Sequence, residues 1–292
     1  MARLRDACGE ELVARAARLL APFAALQDAP PFSILTPSGT PLELTFRSNE
    51  NAIRATVETG GADVPPRERL ARAASIANVD AGALEPLHAG AALRWGGWLG
   101  MHVARGTLSY KLYAEVPESA QEQAAAFVER RTGVRAAVPR PLFIRMIGFA
   151  PRTLEIYYRV HELRPWELRE VLAPLGLSDR EPAVLDLFED ACEAALHRRF
   201  PWPKLGFSYA FRDGAPPVFS FYGFAFDLFG SDARARRRVL AFAARRGWDV
   251  SAYEAYSAPL ATHDARDHHG MFGVSLGEAL APEVRIGLAA FA

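Results

Sequence analysis

Five pairs of alternating segments, each joined by a turn and separated from the next by helical runs, constrain this chain more than any other feature. The pairs span 41–47 with 52–58, 94–105 with 108–116, 142–149 with 153–161, 205–211 with 218–227, and 269–276 with 284–291. Side chains alternate across a strand with a period of two. In 108–116, therefore, Leu108, Tyr110, Leu112, Ala114 and Val116 share one face, and Ser109, Lys111, Tyr113 and Glu115 the other. Turn chemistry separates the partners: Ser48-Asn49-Glu50-Asn51, Gly106, Pro151-Arg152 and Asp213-Gly214. Apolar residues at helical spacing predict helices over 4–26, from Pro65-Pro66 through Ile76, over 80–87 and 118–131, from Pro165, and over 182–199 and 232–246.

Ten strands in five antiparallel hairpins, with a last strand that ends the pattern, predict an α+β chain whose sheet closes on itself. The expected form is a ten-stranded antiparallel barrel, helices outside and a polar lumen within, spanning 1–292 as one domain. Closure removes the exposed strand edges. The alternatives are an open sheet covered on one face, or two α+β domains dividing near Pro139-Arg140-Pro141.

Composition removes several function classes. Lys+Arg and Asp+Glu are both 34, so nothing global attracts nucleic acid or an acidic membrane surface, and an anionic partner has to be met locally. Cys8 and Cys192 are too few for a disulfide framework and have no metal spacing. Charges at Arg3, Arg5, Asp6, Glu10 and Glu11 interrupt the N-terminal segment, so neither a signal peptide nor a membrane span is expected and the chain reads as cytoplasmic.

The polar faces of the second strands carry a recurring pair two residues apart. These are Arg54 and Thr56, Lys111 and Tyr113, Glu155 and Tyr157 with Arg159 beyond, Ser220 and Tyr222, then Arg285 and Gly287. Arg145, and with it Arg47 and His102, could join from first strands. So many cations in one lumen must meet carboxylates or a bound polyanion. Glu58, Glu115 and Glu155 are the expected carboxylates if the pairs are structural. His263-Asp264 and Asp267-His268-His269 have metal-binding residue types. Adjacent histidines on a strand point in opposite directions, however, and the segment follows Pro259 in a loop, so no metal ligand is expected there. Arg234 to Arg238 reads as a solvated helix face, and Gly96-Gly97 lacks a phosphate-loop context.

In its order of elements, with Arg54, Lys111-x-Tyr113, further x-x-Tyr strands and a final Arg285 strand, the chain resembles the ABBA prenyltransferase barrels. Its nearest likeness in feel is to the cyanobactin-type peptide prenyltransferases. The resemblance implies transfer of a dimethylallyl or geranyl group from its diphosphate to an electron-rich side chain of a modified or cyclic peptide natural product. It implies Glu43 as the base at the acceptor. Arg54 and Lys111 stand where the family holds the diphosphate, and Arg145, Arg159 and Arg285 are the further candidates for its charge. Tyr113, Tyr157 and Tyr222 would shield the allylic cation, with Trp98, His102 and Phe207 at the acceptor and Mg²⁺ carried on the donor diphosphate. Glu155 and Ser220 stand where indole prenyltransferases of fungi carry a cation, and Gly287 where an aromatic is expected. Two other functions fit the same residues: transfer to a free phenolic or indolic small molecule, and a barrel that binds an anionic or aromatic ligand without chemistry.

Overall fold

A computed structural model describes residues 5–6, 8–26, 30–88, 90–136, 138–278 and 280–290. Ten strands close into one antiparallel barrel: β1 (Leu42–Arg47), β2 (Ala52–Glu58), β3 (Gly97–Ala104), β4 (Thr107–Glu115), β5 (Leu142–Ala150), β6 (Thr153–His161), β7 (Lys204–Arg212), β8 (Ala215–Phe224), β9 (His269–Gly277) and β10 (Glu283–Ala289). Each strand pairs with its sequence neighbours, and β1 pairs with β10 through Glu43↔Ala289 to Arg47↔Arg285. That closure excludes the open-sheet alternative.

The described residues contain five helices longer than ten residues, labelled α1 (Glu10–Leu20), α2 (Pro66–Ala77), α3 (Gln121–Thr132), α4 (Glu181–Cys192) and α5 (Asp232–Arg246). The predicted leading helix over 4–26 gives way to a 3-10 segment at Ala21–Leu26, and Leu4 lies outside the described residues, as does Phe291 at the end of the last predicted strand. The helix predicted over 182–199 stops at Cys192. There Glu193 turns into the left-handed region (φ 49), and the Glu189 carboxylate accepts the N–H groups of Leu196 and His197 beyond it. The strand predicted over 218–227 ends at Phe224, where a short helix, Ala225–Phe229, begins.

The apolar core lies outside the barrel wall, between strands and helices. Phe207 stacks on Tyr158 with centroids 4.8 Å apart, and Phe188 of α4 packs on Phe221 at 4.6 Å and on Phe272 at 5.9 Å. Leu99, Leu112, Ile147, Ile156, Phe219 and Leu288 on the same outward faces are fully buried. One period-two alternation therefore serves two environments: outward residues make the core that holds the fold, and inward residues are free to be polar. Gly96, at φ +80, lets the chain before β3 pass against α2, since a Cβ there would lie 1.8 Å from the Pro66 carbonyl oxygen.

Candidate active site

The lumen is lined by Glu43, Arg47, Arg54, Trp98, His102, Lys111, Tyr113, Glu155, Tyr157, Arg159, Tyr222 and Arg285, brought together from β1–β4, β6, β8 and β10. At its centre the Lys111 ammonium donates to Glu155, and to Tyr157 Oη at 2.8 Å. It also lies 4.8 Å from the Tyr113 ring centroid and 5.1 Å from that of Tyr157. Tyr113 meets Tyr157 edge-on at 5.8 Å, and Tyr157 meets Tyr222 at 6.5 Å. The three tyrosines thus form one aromatic wall beside one ammonium.

Burial pushes the Glu155 carboxyl up, but Lys111, Arg285 and a 2.7 Å hydrogen bond from Ser208 outweigh it and hold the group well below the usual carboxylate range. Tyr157 and Tyr222 are both raised well above the ordinary phenol value, by burial first and then by the Glu155 charge. They stay neutral.

A second group of charges joins the hairpin turns to the strands. Arg54 grips Glu50 with two donors, Nε at 2.8 Å and Nη2 at 2.6 Å, and His102 Nε2 stands 3.5 Å from the same carboxylate. Arg285 donates to Glu283 at 2.9 Å, and Arg47 lies 3.3 Å from Glu283. Burial, then the charges of Arg285 and Arg54, push Arg47 down to about 10. Glu50 and Glu283 were not anticipated from sequence. Of the three expected carboxylates only Glu155 pairs with a candidate cation. Glu58 instead accepts from Ser33 at 2.6 Å and from the Trp98 indole N–H at 2.9 Å, and faces Arg69 at 3.4 Å; Glu115 accepts the backbone N–H groups of Arg94, Trp95 and Gly96.

Arg145 sits at a register break between Ile144 and Met146 and has no ion-pair partner among the described residues. Burial, then the neighbouring Arg159 charge, lowers its pKa. Arg159 lies over the Phe143 ring at 5.7 Å, and its buried Nε has no hydrogen-bond partner. Trp98 lines the lumen, its ring stacked on Trp95 at 3.9 Å. His102 lies opposite Arg54 across β2 and β3 and faces the Glu50 carboxylate. Phe207 is a correction: it faces outward into the core against Tyr158, Tyr209 and Phe219, because Gly206 and Ser208 take the inward positions of β7.

Glu43 stands apart from both charge groups. It is buried, has no hydrogen-bond or ion-pair partner among the described residues, and burial alone pushes its pKa up to about 8. Its carboxylate fills a niche made by two glycines: a Cβ on Gly270 would lie 2.1 Å from Oε2, and one on Gly287 would lie 2.6 Å from Cδ. Glycines give way to other site residues too. A Cβ on Gly148 would meet Lys111 Cε at 2.4 Å, one on Gly100 the Tyr113 ring at 2.7 Å, and one on Gly206 the Tyr222 ring at 2.1 Å. Large functional side chains lie along the wall wherever a neighbouring strand presents no side chain. The glycine at 287, unexpected from sequence, is the space Glu43 occupies.

The lumen residues do not fit a protein-held Mg²⁺, which needs free oxygen ligands. Glu155, Glu50 and Glu283 are each committed to cations, and Glu43 is alone. Among the described residues, no helix is long and apolar enough to cross a membrane.

No protein-family model and no curated protein matches the sequence. Solved structures do match. The 6-dimethylallyltryptophan synthase from Micromonospora olivasterospora, in complex with DMASPP and Trp, is 22% identical over 99% of this chain and 94% of its own, with TM-score 0.74. The 5-dimethylallyltryptophan synthase from Streptomyces coelicolor is 18% identical over 98% and 94%, with TM-score 0.72. Prenyltransferase PriB, in a ternary complex with L-tryptophan and dimethylallyl thiolodiphosphate, is 16% identical over 98% and 93%, with TM-score 0.74. These likenesses extend over nearly the whole of each chain, and the closed ten-stranded barrel described above is the ABBA fold of these prenyltransferases.

Proposed function

We propose that this barrel moves a short isoprenyl group, dimethylallyl or geranyl, from its diphosphate to an electron-rich aromatic acceptor. The observation that carries the proposal is the pairing of an aromatic wall and a cation set with one isolated, high-pKa carboxylate in the same lumen. Arg54, Lys111, Arg145, Arg159 and Arg285 draw charge toward the departing diphosphate as the allylic C–O bond breaks. Faces of Tyr113, Tyr157 and Tyr222 stabilise the allylic cation, each by ~0.5–2 kcal/mol. A ring carbon of the acceptor then bonds to that cation, and the displaced ring proton passes to Glu43. A carboxylate whose pKa lies near 8 is a far better proton acceptor than an ordinary one. Trp98 contributes a flat wall to the acceptor space.

Free tryptophan, or another small indole, is favoured over a cyclic peptide because two of the similar structures were solved with tryptophan. Mg²⁺ has no carboxylate set to hold it here, so charge neutralisation rests on the arginines and Lys111. Incubation with dimethylallyl diphosphate and tryptophan, other indoles or phenols, and tryptophan-containing cyclic peptides, read by mass spectrometry with and without chelator, tests the proposal. Addition of one isoprenyl mass to an aromatic acceptor, undiminished by chelator, is expected. Donor binding without turnover on any acceptor would support the non-catalytic barrel, for which Glu155 and Ser220 in place of cations already speak.

A further inference from the structure

We propose that His263, Asp267 and His268, outside the barrel lumen, form a binding site for one transition-metal ion of the zinc type. The inference is independent of the prenyl-transfer proposal. His268 and His269 do diverge, as neighbours on an extended segment must. His269 turns inward, its Nδ1 2.7 Å from Asp232 and its Nε2 2.9 Å from Tyr253 Oη, and is consumed by the core. His268 turns the other way, where His263 and Asp267 meet it.

The geometry suits a small tetrahedral ion. His263 Nε2 lies 3.0 Å from Asp267 Oδ1, and His268 Nε2 lies 3.6 Å from the same oxygen. One ligand atom from each of the three residues falls within 4.8 Å of the other two. With metal–ligand bonds of about 2.0–2.1 Å, tetrahedral ligands stand about 3.3 Å apart, so the ion needs only small side-chain rotations. Two imidazoles and one carboxylate favour zinc, cobalt or nickel over magnesium or calcium, which take oxygen ligands. The side chains are 38%, 47% and 24% exposed, which leaves a solvent-facing position for water.

What separates this trio from a chance surface cluster is that its backbone is already held. The His263 carbonyl accepts from Ala233 N–H at 2.8 Å, and the His268 carbonyl from Ala289 N–H at 2.7 Å. Asp232, nearly inaccessible at the start of α5, accepts the N–H groups of Asp267 and His268, both at 3.1 Å, and that of His269 at 2.9 Å. Its Oδ2 also stands 3.8 Å from His263 Nε2 and adds negative charge beside the proposed cation. All three ligand residues are thereby fixed to α5 and β10, and the ordering cost of metal binding is small. A bound ion would tie the segment before β9 more firmly to α5, two residues ahead of Gly270 in the Glu43 niche.

Titration of the chelator-treated full chain with Co²⁺, followed by visible absorption, and with Zn²⁺ by calorimetry, tests this. One equivalent of Co²⁺ with tetrahedral d–d bands is expected, together with a Zn²⁺-dependent rise in Tm. His263→Ala, His268→Ala and the near-isosteric Asp267→Asn should each weaken binding by about tenfold or more, while His197→Ala, an exposed histidine elsewhere, should not. Circular dichroism verifies the fold of each variant. Absence of tetrahedral bands overturns the site, and so does binding that survives in a folded His263→Ala/His268→Ala double variant.

Discussion

Two carboxylates in one lumen, Glu155 and Glu43, have opposite fates. Glu155 is surrounded by Lys111, Arg285 and Ser208 and held ionised far below the usual range; Glu43 sits in a niche left by Gly270 and Gly287, with no charged partner among the described residues, and burial pushes its pKa up to about 8. Both are buried. Burial alone therefore does not decide protonation; the neighbours supplied by adjoining strands do. Two acids whose environments push their pKa values apart are assigned different work. Glu155 is a fixed charge that sets the Lys111–Tyr157 geometry, and Glu43 is the group able to gain and lose a proton near neutrality.

The most direct way to break this contrast is Glu43→Gln, which keeps the shape and removes the titration. Turnover is expected to fall about 10²–10⁴-fold with donor affinity almost unchanged, as measured by kcat and by equilibrium binding of a thiolodiphosphate analogue. In the native chain kcat/KM should rise with pH through about 8, since the base must be ionised; in the variant that limb should vanish. The stability sign is opposite. A carboxyl raised from 4.5 to about 8 on folding binds more protons folded than unfolded between those values, so stability falls as pH climbs through that window and levels off above it. Glu43→Gln should therefore melt higher than the native chain at pH 9. Equal pH profiles for the two proteins would remove Glu43 from the chemistry.

Lys111→Ala probes the other side. It leaves Glu155 buried with its main partner gone, and removing one member of a buried pair costs ~3–5 kcal/mol. Chemical denaturation should show that loss, with much of it recovered in Lys111→Ala/Glu155→Ala. If the double variant is no more stable than the single one, Arg285 and Ser208 suffice to hold Glu155 and the pair is not a unit.

How far these two regions were legible in the sequence follows from what a period of two can carry. Alternation in each hairpin gave the barrel, the polar lumen and the inward positions of Lys111, Tyr157, Tyr222 and Glu43. It did not give register, and the missed features depend on register. Glu50 reaches Arg54 from a turn, Glu283 reaches Arg47 across the seam that closes the barrel, and Gly270 and Gly287 matter through side chains they lack. Phe207 was misplaced for a different reason: an aromatic in a barrel strand looks like a pocket wall. The small residues Gly206, Ser208 and Ala210 between Leu205, Phe207 and Tyr209 were the available sign that the bulky face of β7 points to the core.

Gly287→Ala sharpens the comparison without altering a charged group. The new methyl would lie 2.6 Å from the Glu43 carboxyl carbon, so the carboxylate must move or the strands must part. Turnover should drop by about tenfold or more, since small misplacements of a catalytic group are costly. Donor affinity, set by the cations rather than by Glu43, should change less than turnover. If Glu43 is displaced toward water, the pH midpoint of kcat/KM moves down from about 8 toward an ordinary carboxylate value. A native midpoint and native turnover would show that the niche does not constrain Glu43.

The smallest expected effect concerns Glu50, the carboxylate that most resembles a place-holder. It takes both donors of Arg54 in a geometry a phosphate could equally take, and both side chains are about a quarter exposed. An incoming diphosphate must displace it or bind beside it against its charge. Exposed pairs of this kind are worth ~0.2–1 kcal/mol, so Glu50→Gln should tighten inorganic diphosphate binding by up to about fivefold in calorimetry, more at low salt than at high. The opposite outcome is as informative. Weaker binding in Glu50→Gln would mean that Glu50 orders Arg54 and His102 for the anion, making it, like Glu155, a carboxylate that organises cations rather than one that competes for them.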